Sequence, residues 1–390
     1  MDSDILQAIS ERDKAFHKYK HDKCQDNFET FKSLRNHVQQ LVYKAKKDPF
    51  TNSIEQNKTD SKALWKTLKS LGLPSKKAST DSSSNICLKI NDNICFEKKL
   101  IAENFNSFYT TVACKLVEKL PKCVKKFGCN FVSSFYSSKG VIPNSFSFNL
   151  VSETKVLKYL QSLGLNKATG LDGISSRFVK HGSPIIVDPL THIINISLIQ
   201  GTVPDELKSA RVVPLYKKND KLSVGNYRPV SILNIVSKVL EKVVYDQVES
   251  FFTDKNLLYR FQSGFRGGFS TDTCLIYLTD FIRKETDQGN YVGMLLLDLQ
   301  KAFDTVDHSI LIMKLSSSAL GKDIVRWLSS YFSDRQQLVD ISGTFSSTAT
   351  VTCGVPQGYI LGPLLFLIYV NDMSAVIKTS CYFKLMIQLF

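Results

Sequence analysis

Apolar residues recur along this chain with distinct textures. Between Ile5 and Leu71 they fall at helical intervals in a sequence otherwise rich in Lys, Gln, Asp and Glu. Phe28, Phe31, Leu34, Val38, Leu41, Val42 and Ala45 form the clearest stripe, and the spacing predicts a polar, helical region. Leu64, Trp65, Leu68 and Leu71 make a second short stripe ending at Gly72 and Pro74, which stop helices. The stretch from Pro74 to Asn85, PSKKASTDSSSN, has almost no apolar content and predicts a flexible linker. Ile101 to Leu120 returns to a helical pattern, and Ser133 to Asn149 reads as a polar and aromatic connector.

From Val151 onward strong apolar segments alternate with Gly and Pro turns, which predicts a well-packed domain of mixed helix and sheet. Asn234 to Phe252 carries apolar residues at 235, 236, 239, 240, 243, 244, 248, 251 and 252, an amphipathic helix. Tyr291 to Leu297 (YVGMLLL) has the length and composition of a strand buried on both faces. Gln337 to Ser342 and Thr348 to Cys353, joined across Gly343, read as a hairpin. The resulting division is a basic helical region over 1–73, a linker and connector with a short helix over 74–150, and a third domain over 151–390.

Charge adds a partner to this outline. The formal net charge is +14, and Met1 to Leu150 holds 25 basic against 15 acidic residues while the remainder holds 25 against 21. A basic front end suits a polyanion; the alternative is a solvated helical face. The nine cysteines form no C-x-x-C pair, so they read as reduced thiols. The N-terminus, MDSDILQAISERDK, lacks the basic start and apolar core of a signal peptide. The longest apolar run, Ile360 to Val370, is interrupted by Gly362 and Pro363 and falls short of the ~20 residues of a membrane helix. The expectation is an intracellular protein of cytoplasm and nucleus, neither secreted nor membrane-bound. No G-x-x-x-x-G-K-[ST] loop is present, which argues against a P-loop nucleotidase.

The most informative stretch chemically is Leu295 to His308, LLLDLQKAFDTVDH. Asp298 stands at the end of an apolar run, with an expected helix following through Ala302, Phe303, Val306, Ile310, Leu311 and Leu315. An ionised carboxylate there must be solvated, paired or metal-bound. It suits Mg²⁺ as a hard oxygen ligand, or else caps the following helix.

This stretch resembles the first palm motif of reverse transcriptases, in the LDxxKAFDxVxH form of non-LTR (LINE-type, jockey-like) retrotransposons. Further blocks resemble the same family in the same order: Lys167 to Ile174 (KATGLDGI), Arg211 to Val230 with its NYRP tetrapeptide, Phe261 to Thr273 (FQSGFRGGFSTDT), Arg335-Gln336-Gln337, and Gly354 to Phe366 (GVPQGYILGPLLF). Asn36 and Leu64-Trp65-Lys66 resemble the family's region upstream of the polymerase. The resemblance implies an α+β fold, the fingers and an incomplete palm of a right-hand polymerase, preceded by a mainly helical N-terminal region. It implies RNA-directed DNA synthesis with an RNA template, a DNA primer or target and deoxynucleoside triphosphates, on two Mg²⁺ ions about 3.5–4 Å apart.

Residue by residue, the resemblance implies that Asp298 bridges the metals with help from the Leu299 carbonyl. Phe303 would pack against the sugar and reject a 2′-hydroxyl, the alternative being a helix-core phenylalanine. Lys217, Lys218 and Arg228 would hold the triphosphate; the two lysines alone read equally as an exposed loop pair. Gln357 and Gly358 would contact the incoming nucleotide and template, with Tyr359 crowding a position that is usually Ser. His308, with no second His nearby, reads as structural.

The chain departs from the family's pattern at one point. The Tyr/Phe-Ala-Asp-Asp block expected after Asn371-Asp372 is missing, and no two aspartates are adjacent anywhere. Read in the frame that begins at the last base of the Lys384 codon, the codons permit Ala-Asp-Asp-Thr-Ala-Leu, so a frame slip near Phe383 to Lys384 is expected. With neither thumb nor endonuclease in the sequence, the expectation is a retroelement fragment with an incomplete metal site and negligible polymerase activity. The alternative is a non-catalytic RNA- or DNA-binding remnant.

Overall fold

The structure, a computed structural model, describes residues 3–56, 86–119, 129–140 and 145–376. The stripe at 64–71, the expected linker at 74–85 and the frame-slip segment at 383–390 lie outside those residues. The chain divides into two compact units, Met1–Thr80 and Asp81–Phe390.

In the first unit, helices α1 (Ser3–His21) and α2 (Gln25–Gln56) are joined by a short connection in which the Asn27 amide donates to the Asp22 carbonyl at 3.0 Å. Tyr19 meets Phe28 with ring centroids 5.3 Å apart, and Phe16 meets Phe31 at 5.1 Å. Numbers rise on one helix as they fall on the other, so the pair is antiparallel, with Ile5, Ala8 and Val38 buried.

The second unit opens with a tight hairpin, β1 (Leu88–Ile90) and β2 (Asn93–Cys95). Asn91 and Asp92 between them both take positive φ, the turn that matches strand twist. Helices α3 (Lys98–Val117), α4 (Cys129–Ser137), α5 (Glu153–Gln161), α6 (Ser176–His181) and α7 (Ser183–Gln200) follow. Strands β3 (Ser209–Tyr216) and β4 (Tyr227–Ile232) lead into α8 (Ile235–Asp254) and α9 (Thr271–Asp287). After α10 (His308–Ser317) and α11 (Lys322–Phe332) come β5 (Gln336–Ile341), β6 (Thr344–Phe345) and β7 (Ala349–Thr350), then α12 (Leu361–Val370) and α13 (Met373–Val376).

The main sheet runs β4-β3-β5-β6, with β7 also on β5. β3 and β4 are antiparallel, whereas β3 and β5 are parallel, Ser209 facing Gln336. One sheet face presents Val212, Tyr227, Val339 and Ile341 to Leu88 of β1 and to Ile101, Ala102, Phe105 and Tyr109 of α3. Asn106 of α3 donates to the Ser347 carbonyl at 2.8 Å, and Glu103 accepts from the Ser347 amide at 2.6 Å. Residues 86–117, read from sequence as part of a linker and connector, thus cover this sheet face. A larger core gathers α7, α8 and α10 to α12 around Ile194, Val243, Phe252, Leu315, Trp327 and Phe366.

The helix read over 234–252 is α8, and the hairpin read over 337–353 is β5 returning as β6 and β7. The return is split where the Ser346 hydroxyl, rather than a backbone group, accepts from the Val339 amide at 2.9 Å. Two readings fail. Tyr291 to Leu297 forms no strand, and Leu295, Leu296 and Leu297 are 82, 80 and 75% exposed. A buried strand needs a neighbour to take its N–H and C=O groups, and no strand among the described residues pairs with this one. The helix expected from Ala302 begins instead at His308, because residues 300–305 turn through Lys301 at φ 51°. Asp307, not Asp298, is the cap: its carboxylate accepts from the Ile310 amide at 2.9 Å.

Candidate active site

Alternation along the β3–β4 hairpin sorts its side chains. Val212, Pro214 and Tyr216 face Ser231, Pro229 and Tyr227, and apart from the half-buried Tyr216 these are buried. Arg211, Val213 and Leu215 face Ile232, Val230 and Arg228 on the more open side. Lys217 lies two residues beyond Leu215, which puts it on the Arg228 side at the hairpin end. Its amide still continues the ladder, donating to the Asn226 carbonyl at 2.9 Å.

A third cation joins them from a distant segment. Lys301 lies over the Phe108 ring at 5.3 Å, with its Nζ 3.5 Å from the Gly225 carbonyl. Burial lowers its ammonium pKa; Asp304 opposes that, while Lys217 and Arg228 add to it by repulsion. Lys217, Arg228 and Lys301 therefore share one electropositive corner. Asp304 lies beside it, half-buried, with its carboxyl pKa raised by desolvation against the pull of Lys301 and Gln357. Asp304 Oδ1 takes a long contact of 3.5 Å from Gln357 Nε2, and Oδ2 is buried with no hydrogen-bond partner. Lys301 and Asp304 carry no sequence signal of their own, although both stand inside the KAFD part of the stretch carrying Asp298. Only the turn at 300–305 reveals their direction.

The turn carrying Gln357 and Gly358 is fixed by close packing. The Gln357 carbonyl accepts from the Ser231 amide at 2.8 Å, extending β4. Gly358 has φ +109°, and a Cβ there would lie 2.5 Å from the Ser231 carbonyl oxygen; Gly354, at φ +87°, would meet the Asp304 carbonyl at 2.9 Å. Glycine is required at both, and the close approach is to the protein's own backbone.

Tyr359 points inward and crowds no site contact. Its hydroxyl accepts from Arg335 Nη2 at 2.9 Å, and the guanidinium lies 4.6 and 4.8 Å from the Tyr331 and Tyr359 rings. Glu241 completes the group, accepting from the Tyr331 hydroxyl at 2.7 Å and from the Ile360 amide at 2.7 Å at the start of α12. Burial raises the Glu241 carboxyl pKa, and Tyr331, Arg335 and the two amides pull it back. Sequence gave little sign of this group, since its members are scattered over 119 positions.

The other candidates stand apart from the corner. Phe303 is 4% exposed, stacks on Phe366 at 4.7 Å and meets Phe265 edge-on at 5.7 Å, the packing of a core phenylalanine. His308 Nε2 lies 2.8 Å from the Gly354 carbonyl, which makes it the donor, and its ring sits 4.4 Å from Phe332. Asp298 and Leu299 are on the exposed coil. No group of three His, Cys, Asp or Glu side chains gathers to hold a metal among the described residues. The described residues therefore do not assemble a two-metal centre around Asp298.

The corner thus gathers two cations from a hairpin, a third from a distant turn and a glycine-locked Gln turn, and comparison with known proteins gives the chain a class. Residues 216–390 match the family model described as reverse transcriptase (RNA-dependent DNA polymerase). The chain is similar to the probable RNA-directed DNA polymerase from transposon BS of Drosophila melanogaster, at 29% identity over 56% of this chain and 24% of that protein. It is 30% identical to the RNA-directed DNA polymerase from mobile element jockey of Drosophila funebris, over 57% of this chain and 24% of that one. With the probable RNA-directed DNA polymerase from transposon X-element of Drosophila melanogaster it shares 30% over 58% of this chain and 25% of that one. The family match and these similarities all point to the reverse transcriptases of non-LTR retrotransposons as the proteins this chain resembles. It spans about a quarter of the length of these curated relatives. No described helix is long and apolar enough to cross a membrane.

Proposed function

We propose that this chain contributes the fingers and part of the palm to an RNA-directed DNA polymerase, and that its electropositive corner binds the triphosphate of an incoming deoxynucleotide. The supporting observation is the convergence of Lys217, Arg228 and Lys301, from three separate segments, beside Asp304 and Gln357. Ammonium and guanidinium groups match phosphate oxygens, and three of them offset much of a triphosphate's charge. The Gly358 turn sets Gln357 beside that charge. Asp298 is the proposed Mg²⁺ ligand, with the Leu299 carbonyl, and polymerisation needs carboxylates beyond it. The domain that does this work is proposed to begin near Ile86 rather than Val151.

The second reading, a nucleic-acid-binding remnant without catalysis, is favoured by Asp298 lying exposed and in no group of three metal-ligating side chains among the described residues. Primer extension on an RNA template with Mg²⁺ separates the two. Incorporation lost in Asp298→Ala and weakened at least tenfold in Arg228→Gln supports the polymerase; salt-sensitive RNA binding without incorporation supports the remnant.

A further inference from the structure

Away from the triphosphate corner, two cations are held with no ion-paired carboxylate among the described residues. Lys139, just after α4, donates to the Leu257 carbonyl at 2.6 Å and lies 4.8 Å from the centre of the Phe135 ring. Arg266 donates from Nη1 to the carbonyls of Tyr259 and Gln262, at 3.1 and 3.3 Å, with its guanidinium 4.2 Å from the Phe269 ring. Both cations thus lean on the same short loop, 257–262, and both are half-buried. Among the described residues no carboxylate forms an ion pair with either. Glu249 attracts Arg266 from a longer distance only. Burial first, and then repulsion by Arg266, pulls the Lys139 ammonium pKa down to about 8. The ammonium has three donors and the guanidinium five, so carbonyls occupy only part of their capacity.

Two like charges partly withdrawn from water cost free energy, and carbonyl dipoles offset it incompletely. The backbone that follows Arg266 is uncrowded: at Gly267 and Gly268 a Cβ would meet nothing within 4 Å. The same loop carries aromatic rings toward the surface. Arg260 lies 4.4 Å from the Phe261 ring, and Phe261 meets Tyr277, itself 47% exposed, at 5.8 Å. Basic groups interleaved with rings are the chemistry of a single-stranded nucleic acid, in which phosphates meet cations and bases meet π-faces. A protein carboxylate would use the cations and leave the rings idle.

We propose that Lys139 and Arg266 grip one backbone phosphate of a nucleic-acid strand, whose neighbouring bases stack toward Phe261 and Tyr277. This rests on the nucleic-acid reading above and adds to it an anchoring point separate from the triphosphate corner.

The test is the salt dependence of binding of a labelled single-stranded RNA to the full chain. In single strands each neutralised phosphate contributes about 0.7 to the slope of log K against log salt. The double variant Lys139→Gln, Arg266→Gln is expected to flatten the slope by roughly that amount and to weaken binding several-fold, with Lys139→Arg retaining the slope. An unchanged slope overturns the proposal alone, whereas absence of RNA binding by the unaltered chain overturns it together with the nucleic-acid reading. Should the double variant fail to fold, the unaltered chain is treated with an amine-acylating ester. RNA is expected to shield Lys139, and inorganic phosphate at equal phosphorus concentration is not. Equal acylation with and without RNA, or equal shielding by inorganic phosphate, overturns the strand proposal.

Discussion

Two stretches with strong sequence patterns have opposite fates. The turn over 354–359 is fastened on every side: Gly354 against Asp304, Gly358 against Ser231, Tyr359 on Arg335, and the following amide on Glu241. The apolar run over 291–297 pairs with no strand among the described residues, and most of it lies open to solvent. Apolar character alone does not place a segment. A backbone is placed when something accepts its amides and meets its carbonyls, and the first stretch has such partners where the second does not.

The sharpest way to break this contrast is to remove the group that fastens the turn. Glu241→Ala leaves the Tyr331 hydroxyl and the first amides of α12 without their buried acceptor, and the Arg335 guanidinium without the negative charge beside it. It is expected to cost about 3–5 kcal/mol in chemical denaturation, the range for a broken buried pair. Gly358→Ala comes next, at about 2–3 kcal/mol, because the methyl group meets the Ser231 carbonyl in a left-handed conformation.

The pH dependence sharpens the comparison further. Burial lowers the His308 imidazole pKa from its ordinary 6.5, and the ring donates to the Gly354 carbonyl at the start of the turn. The unfolded chain then binds the proton more readily than the folded one. Stability is expected to be full above about pH 6.5 and to fall as the medium is acidified, by at most about 1.4 kcal/mol per pH unit. His308→Gln should flatten that profile between pH 5 and 7. The smallest effect belongs to the open run, where Leu296→Ser is expected to change stability by less than about 0.5 kcal/mol. A loss above about 1.5 kcal/mol would mean that Leu296 is buried in solution.

Periodicity made α8 and the β5 hairpin legible, because each buries one face against its own neighbours. The candidate site was legible in its parts: Arg228, Lys217, Gln357 and Gly358 all stand in or beside the corner. Lys301 and Asp304 were not, since the expected helix from Ala302 hides a turn whose direction depends on the positive φ of Lys301. Phe303 and Tyr359 show the other limit. A ring in a motif points to the core or to a ligand according to packing partners such as Phe366 and Arg335, which lie far along the chain.

The parallel pairing of β3 with β5 also sets an order in time. The paired residues stand about 127 positions apart, Ser209 facing Gln336, so that closure is late and entropically costly. About 110 residues run from the end of β4 to the end of β5, so at ~5–20 residues per second a ribosome leaves the finished β3–β4 hairpin waiting roughly 5–20 s for its neighbour. Helix α3 is synthesised earlier and already carries Phe105 and Tyr109 to the hairpin's apolar face. It serves as a nursemaid for a half-built sheet before it serves as part of the finished one.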